Sequence, residues 1–199
     1  GVINALSRLA MLQVVTNDNL AEVNVPMHVV HPLVRRFAPV GVKELCSNIQ
    51  FLFTLRNKVR AFDAIYHRHA AYSFAGAYLS QKYHVPLILE FNSSEVWKSE
   101  HWSIKNIGVK RCLKTIYQRI FEFPFIRWVE CYNLRHADII VTVSDVLKDF
   151  LLTSGVEERR VLVNPNGVDT EKFHPHCVGY EIRTRYHLTD KCVVGFIGT

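Results

Sequence analysis

The chain has 199 residues, 49% hydrophobic and 21% charged, with a formal net charge of +6. That balance supports a sizeable core and excludes a disordered chain, and no apolar run approaches the ~20 residues with which a helix crosses a bilayer. The excess charge is local: seven basic and two acidic residues lie between Lys98 and Trp128, which leaves the remainder nearly neutral. The cysteines at 46, 112, 131, 177 and 192 are odd in number and scattered, without a Cys-x-x-Cys pair. They predict a reduced, cytoplasmic setting with the thiols as small core residues.

In chain order, Ile3, Leu6, Leu9 and Ala10 have helical spacing, and residues 12–16 read as a short strand stopped by Asn17-Asp18-Asn19. The alternation of Val23, Val25, Met27 and Val29 predicts a second strand, placed at an edge by Pro26. Val42, Leu45, Ile49, Leu52, Phe53, Leu55 and Val59 predict an amphipathic helix over 42–59. Arg56, Lys58 and Arg60 are expected in its last turn, where they suit the helix dipole. A strand over 62–66 should end in His67-Arg68-His69, followed by a small-residue helix over 73–83 and a strand over 86–91 that ends in Asn92-Ser93-Ser94. Residues 95–135 are mostly helical by pattern, with breaks expected near Gly108 and Pro124.

A complete β-α-β unit comes next: an apolar run over 139–143, Ser144 ahead of a helical pattern, Gly155 as a stop, and a second run over 161–163. Pro165-Asn166-Gly167 then turns the chain. Residues 169–190 read as a polar, irregular linker, and 193–197 begin another strand beside Gly195 and Gly198. The alternation of strands and helices predicts an α/β fold, a Rossmann-like, largely parallel sheet with helices on both faces. Such sheets bind ligands at the carboxyl ends of their strands.

Four segments together resemble the family 4 type of retaining glycosyltransferases, enzymes of the GT-B architecture with two Rossmann-like domains. VLVNPNGVDTEKFHP, from Val161 to Pro175, is similar to the family's junction between acceptor and donor domains. ADIIVTVSDVLKDFL matches the place just upstream, PLILEFNSSEVW resembles the strand into the acceptor-side loop, and the terminal VGFIGT resembles the first strand and glycine turn of the donor domain. The resemblance covers the chain from about Asp63 onward. It implies transfer of a sugar from a nucleotide-sugar donor to a glycan or lipid-linked acceptor, with retention and without a metal or other cofactor. It divides the chain into an acceptor-binding domain over 1–169, a linker over 170–190 and the first donor-domain strand over 191–199. Both ends look cut, so the family's opening strand is expected before Gly1 and the rest of the donor domain after Thr199. A fragment holding mainly the acceptor side is expected to be inactive alone. Two readings stay open beside transfer: a nucleotide-sugar epimerase of GT-B fold, and a non-catalytic sugar- or lipid-binding module.

The candidate residues follow from position and chemistry. His67, Arg68 and His69 end a strand at the ligand edge, where Arg68 suits an acidic acceptor or a phosphate and a histidine can share protons near neutrality. The competing reading pairs Arg68 with a surface acid and gives the histidines a capping role. Asn92 stands where a common version of the family has histidine, and it can hydrogen-bond a sugar hydroxyl. Glu95 is a candidate for orienting the acceptor, against the plain reading of a loop that caps the next helix. Ser144 is first a helix cap. Asn166 and Gly167 are first turn residues, with secondary substrate contact implied by the family's cleft, and Gly198 resembles a glycine on the donor phosphate side. Glu157-Glu158 beside Arg159-Arg160 reads as a solvated loop. His174-Pro175-His176-Cys177 has no partner cluster, so no metal is expected. The cations and aromatics between Lys98 and Trp128 fit an anionic membrane surface and no recognisable nucleic-acid module. The competing reading, ordinary core aromatics with exposed lysines, stands ahead of the membrane surface. The expected location is cytoplasmic, with peripheral attachment to the membrane face.

Overall fold

Leu87, Leu89 and Phe91 are fully buried, whereas Ile88 and Glu90 between them are half-buried. That period of two is a strand with one face on a core. The computed structural model describes residues 3, 6–16, 25–29, 40–101, 118–168, 170–171, 174 and 179–194. Within them lie six strands: β1 (Val14–Thr16), β2 (Met27–Val29), β3 (Ile65–Arg68), β4 (Leu87–Phe91), β5 (Ile139–Thr142) and β6 (Val161–Val163). The helices are α1 (Val40–Leu55), α2 (Ala75–Tyr83), α3 (Glu95–His101), α4 (Phe123–His136), α5 (Asp145–Thr153) and α6 (Tyr180–Arg185). Strands β1 and β2 form a parallel pair, and β3-β4-β5-β6 form a four-stranded parallel sheet in chain order.

That order decides which face is covered. Each strand is followed by its spatial neighbour on the same side, so right-handed crossovers place their helices on one face. Register puts Ile65 beside Leu87, Leu89 beside Ile140, and Ile140 beside Val161. These residues pack with Ala77 of α2, Leu134 of α4, Leu151 of α5 and Val156 into one core. On the opposite face Tyr66, Ile139 and Leu162 are exposed. The α/β class and parallel sheet are as expected, and the described helices that join this core cover one face of it.

Several boundaries differ from the sequence reading. Strand β3 starts later than expected, so His67 and Arg68 belong to it and only His69 follows. Helix α1 ends at Leu55, and Arg56, Lys58 and Arg60 fall in the turn and 3-10 segment after it. Pro124 does not break a helix but lies in the first turn of α4, where the missing N–H costs nothing. A short π-turn over Gln118–Glu122 leads into it. The segment expected to be irregular contains α6, whose Glu181 and Arg183/Arg185 match the dipole at either end. Cys131 and Cys192 are exposed rather than core residues, and Cys46 is half-buried.

Ser144 caps α5 as expected, accepting from Leu147 N at 3.3 Å, and Gly155 follows the helix at φ 88°, a left-handed position that suits glycine. Arg160 is not merely solvated. Its Nη2 donates to Leu134 O at 2.6 Å and to Ala137 O, covering carbonyls at the end of α4. Asp138 and Leu87 exchange two bonds, Leu87 N to Asp138 Oδ2 at 2.7 Å and Asp138 N to Leu87 O at 3.0 Å, which tie the starts of β4 and β5.

The chain divides into two compact units, Gly1–Pro165 and Asn166–Thr199. In the second unit α6 buries no residue. The strand expected over 193–197 and the breaks near Gly108 lie largely outside the described residues.

Candidate functional site at the carboxyl edge of the sheet

The amphipathic stripe of α4 is Ile126, Val129, Glu130, Asn133 and Leu134, all buried. A carboxylate and an amide on such a stripe must find partners or cost stability. Both find them at the carboxyl ends of β3 and β4. Glu130 accepts from Ser94 Oγ at 2.7 Å, Glu95 N at 2.7 Å, Val96 N at 3.2 Å and His69 Nε2 at 3.4 Å. It thus covers the first amides of α3, while Ser94 Oγ accepts from Trp97 N at 3.0 Å as the helix's own cap. Burial pushes the Glu130 carboxyl up, but the hydrogen bonds from His69, Ser94 and Val96 outweigh it and hold the group below its ordinary value.

Asn133 fixes the tautomer of His69. Its Nδ2 donates to Ser73 O at 2.7 Å, which sets the amide orientation, and the same nitrogen lies 3.2 Å from His69 Nδ1. An amide nitrogen only donates, so Nδ1 accepts and the imidazole proton sits on Nε2, facing Glu130. The His69 ring also stacks on Phe91, with centroids 5.1 Å apart. His69 is therefore a buried strut rather than an exposed side chain.

His67 is held differently. Its Nε2 lies 2.7 Å from Ser73 Oγ and its Nδ1 has no partner. A Cβ on Gly76 would lie 2.7 Å from the ring's Cγ and Nδ1, so only glycine lets α2 begin against this imidazole. Burial, with a smaller contribution from the neighbouring His69, depresses the His67 pKa from 6.5 to about 4.

On the other face of the sheet, Glu90 gathers a second polar group. It accepts from Asn92 Nδ2 at 2.6 Å and Tyr66 OH at 2.9 Å, and Arg68 Nε lies 3.7 Å away. Burial first, then the bond to Glu90 and its charge, push the Tyr66 phenol upward. The Arg68 side chain is 75% exposed, leaving its guanidinium open to a ligand. Glu95, by contrast, is engaged by Lys98 Nζ at 2.8 Å within α3.

Among the described residues, the buried side-chain polar atoms that lack a partner are His67 Nδ1, Asn92 Oδ1, Asn133 Oδ1 and Thr142 Oγ1. His67 is near the end of β3, Asn92 follows β4 and Thr142 ends β5. Unsatisfied buried polar atoms are uncommon and ask for an explanation; here they mark one edge of the sheet. Asn166 and Gly167 are exposed in the second unit, and a Cβ on Gly167 would meet nothing. Gly198 lies outside the described residues, as does most of the segment between Lys98 and Trp128. Described residues contain no group of three or more His, Cys, Asp or Glu placed to hold a metal. A hollow of about 690 Å³ lies at the opposite end of the sheet, lined by Tyr78, Lys82, His84, Pro86, Tyr132 and Asp138, away from these atoms.

Sequence reasoning missed Glu130, Asn133, Ser73 and Glu90. The signal for the first two was present, since they occupy i+4 and i+7 of the stripe that starts at Ile126.

Among solved structures, HepE from Anabaena in complex with UDP is similar at 17% identity and a TM-score of 0.47, over 82% of this chain and 37% of that one. The S. aureus MnaA–UDP structure is similar at 15% identity and a TM-score of 0.45, over 83% of this chain and 37% of that one. The chain thus spans little more than a third of the length of either. No similar protein was found among curated proteins. Residues 11–172 match the Glycosyltransferase Family 4 domain. A match over that much of the sequence settles membership: the chain belongs to Glycosyltransferase Family 4.

Proposed function

We propose that this chain is the acceptor-side domain of a retaining glycosyltransferase, one that moves a sugar from a nucleotide-sugar donor to a glycan or lipid-linked acceptor. Family membership supports the reaction class. The observation that carries the site is the open guanidinium of Arg68 at the end of β3, with Asn92 after β4 bonded to Glu90 on the same face of the sheet. A guanidinium and an amide suit the phosphate and hydroxyl groups of such ligands. His67, His69 and Glu95 support the edge from behind, Ser144 starts α5 beside it, and Arg68 and Asn92 are the contact residues. Asn166 and Gly167 are secondary substrate contacts in the turn that ends the acceptor domain, Gly198 belongs to the donor phosphate side, and no metal takes part.

The test is turnover of a panel of nucleotide sugars by the full-length protein. Arg68→Ala is expected to lower kcat/KM about tenfold or more, on the order of 1.4 kcal/mol of transition-state stabilisation, with unchanged thermal unfolding because the side chain is exposed. Absence of both turnover and binding with every donor would overturn the assignment and favour a binding module.

Ile120, Phe121 and Trp128 are exposed beside Arg127, which supports attachment of this region to an anionic membrane surface and hence a lipid-linked acceptor. Among the described residues no helix is long and apolar enough to cross a membrane, so the attachment would be peripheral. Sedimentation with vesicles is expected to rise with the fraction of anionic lipid; indifference to lipid charge would sink the idea.

A further inference from the structure

Pro86 and Asp138 stand just before β4 and β5, at the end of the sheet opposite the proposed reaction edge. The hollow they line has a volume of about 690 Å³, within the ~300–1,000 Å³ that small-molecule sites occupy. Strand β4 between the two ends is five residues long, so at ~3.3 Å per residue they lie roughly 17 Å apart. What the hollow can hold follows from which ends of its polar side chains are already used. His136 Nδ1 lies 2.8 Å from Tyr132 O, and a carbonyl only accepts, so Nδ1 carries the proton and the neutral ring keeps Nε2 as an acceptor. Asp138 spends Oδ2 on Leu87 N at 2.7 Å and keeps its other oxygen as a second acceptor. Tyr132 OH donates to Gln81 Oε1 at 3.0 Å, which leaves the Gln81 NH₂ as a donor.

Donors and acceptors side by side suit hydroxyl groups, which both give and take a hydrogen bond. The charges agree: Lys82 and Asp138 both line the hollow, so it carries no net sign to favour an ion. Its apolar lining is aromatic. Tyr132 is flanked by Trp128 and His136, with ring centroids 5.2 and 4.4 Å away, and is held in place by them. Tyr78 is 40% exposed and offers a ring on which the C–H groups of a ligand can pack. We propose that this hollow is a second saccharide site, separate from the reaction edge, that takes a neutral, polyhydroxylated ligand. Its role in holding the far part of a glycan acceptor rests on the transferase reading; the binding itself does not.

His84 supports the assignment from the backbone. It stands at φ 56° directly after α2, a left-handed position in which helices ordinarily place glycine. A side chain there costs the fold stability, and this one is exposed on the wall of the hollow. A residue kept in such a conformation is accounted for by what its side chain does for a ligand. His84→Gly therefore separates binding from folding: it should raise the thermal unfolding midpoint by relieving the left-handed strain, and weaken saccharide binding about fivefold.

The test applies the full-length protein, without nucleotide sugar, to an array of neutral and acidic oligosaccharides. Neutral saccharides should be retained. Tyr78→Ala and Gln81→Ala, at exposed positions that spare the core, should each lower affinity about tenfold or more. Arg68→Ala, at the other end of the sheet, should leave it within about twofold. The proposal is overturned if no neutral saccharide is retained, if only acidic ones are, or if Tyr78→Ala, Gln81→Ala and His84→Gly all bind as the parent does. A loss with Arg68→Ala equal to that with Tyr78→Ala would overturn it too, by assigning the binding to the reaction edge. Retention that follows the hollow while no donor is turned over leaves this site standing and the transferase reading refuted; turnover without retention does the reverse.

Discussion

Replacing Glu130 by alanine is expected to destabilise the protein by about 3–5 kcal/mol, read as a fall in the urea midpoint at unchanged slope. The estimate follows from the partners left behind. Glu95 N, Val96 N and His69 Nε2 would lose their acceptor inside a region where Glu130 itself is 5% exposed. Each stranded donor costs ~1–3 kcal/mol, and water entering the space recovers part of that. Glu130→Gln should cost less, about 1–2 kcal/mol, because one amide oxygen still accepts from the α3 backbone while its NH₂ faces donors. The two substitutions also separate shape from charge: similar losses for both would mean that the carboxylate's charge, not its occupancy of the space, holds the loop. An alanine variant within 1 kcal/mol of the parent would show that α3 begins there without help.

The second large effect is expected from acid. His67 is neutral in the folded chain, with a pKa of about 4 against an ordinary 6.5. Between those values the unfolded chain binds a proton that the folded chain refuses, so stability falls as pH drops from about 6.5 towards 4 and levels off below. A separation of that size corresponds to about 3 kcal/mol at most, using ~1.4 kcal/mol per pKa unit. Glu130 contributes in the same direction but lower in pH, because its depressed folded value is lost only as the medium acidifies past the ordinary carboxylate range. Denaturant titrations from pH 7.5 to 4.5 should therefore show a steady loss, and His67→Gln should flatten it above pH 5. A slope unchanged by that substitution would assign the loss elsewhere.

What the sequence made legible was periodic or chemical at short range. The alternation in PLILEF located β4 within a residue, and Ser144 with Gly155 bracketed α5, because caps and strand pleats are properties of neighbouring residues. The edge proposed here to bear ligands was also marked in the sequence, by strands ending in His67-Arg68-His69 and Asn92. What could not be read was which of those residues point inward. His69 and Arg68 are adjacent, yet one is buried and the other open: β3 runs two residues past its expected end, so the strand's alternation reaches Arg68 and puts it on the exposed face, while His69 turns in behind it. The partners of the edge lie far along the chain: Glu130 meets His69 across sixty-one residues, and only packing of α4 against β4 brings them together. Pro124 misled because a proline in the first turn of a helix and one that breaks it look alike without the cap.

The chain-order sheet also has a kinetic meaning. Pairing β3 with β4, or β5 with β6, closes a short crossover, whereas joining β4 to β5 brings together Leu87 and Asp138, fifty-one residues apart. Each doubling of a loop adds only ~0.6 kcal/mol to closure, but nothing rewards it until the ends meet. Two local halves would form first and then wait for one long-range docking event. The bonds from Glu130 to the start of α3 lie within the same crossover and add a second long-range tie to it. A chain stalled at that point would keep most of its secondary structure while having no assembled binding edge, so recovery of the site reports completion of folding more faithfully than recovery of helix does.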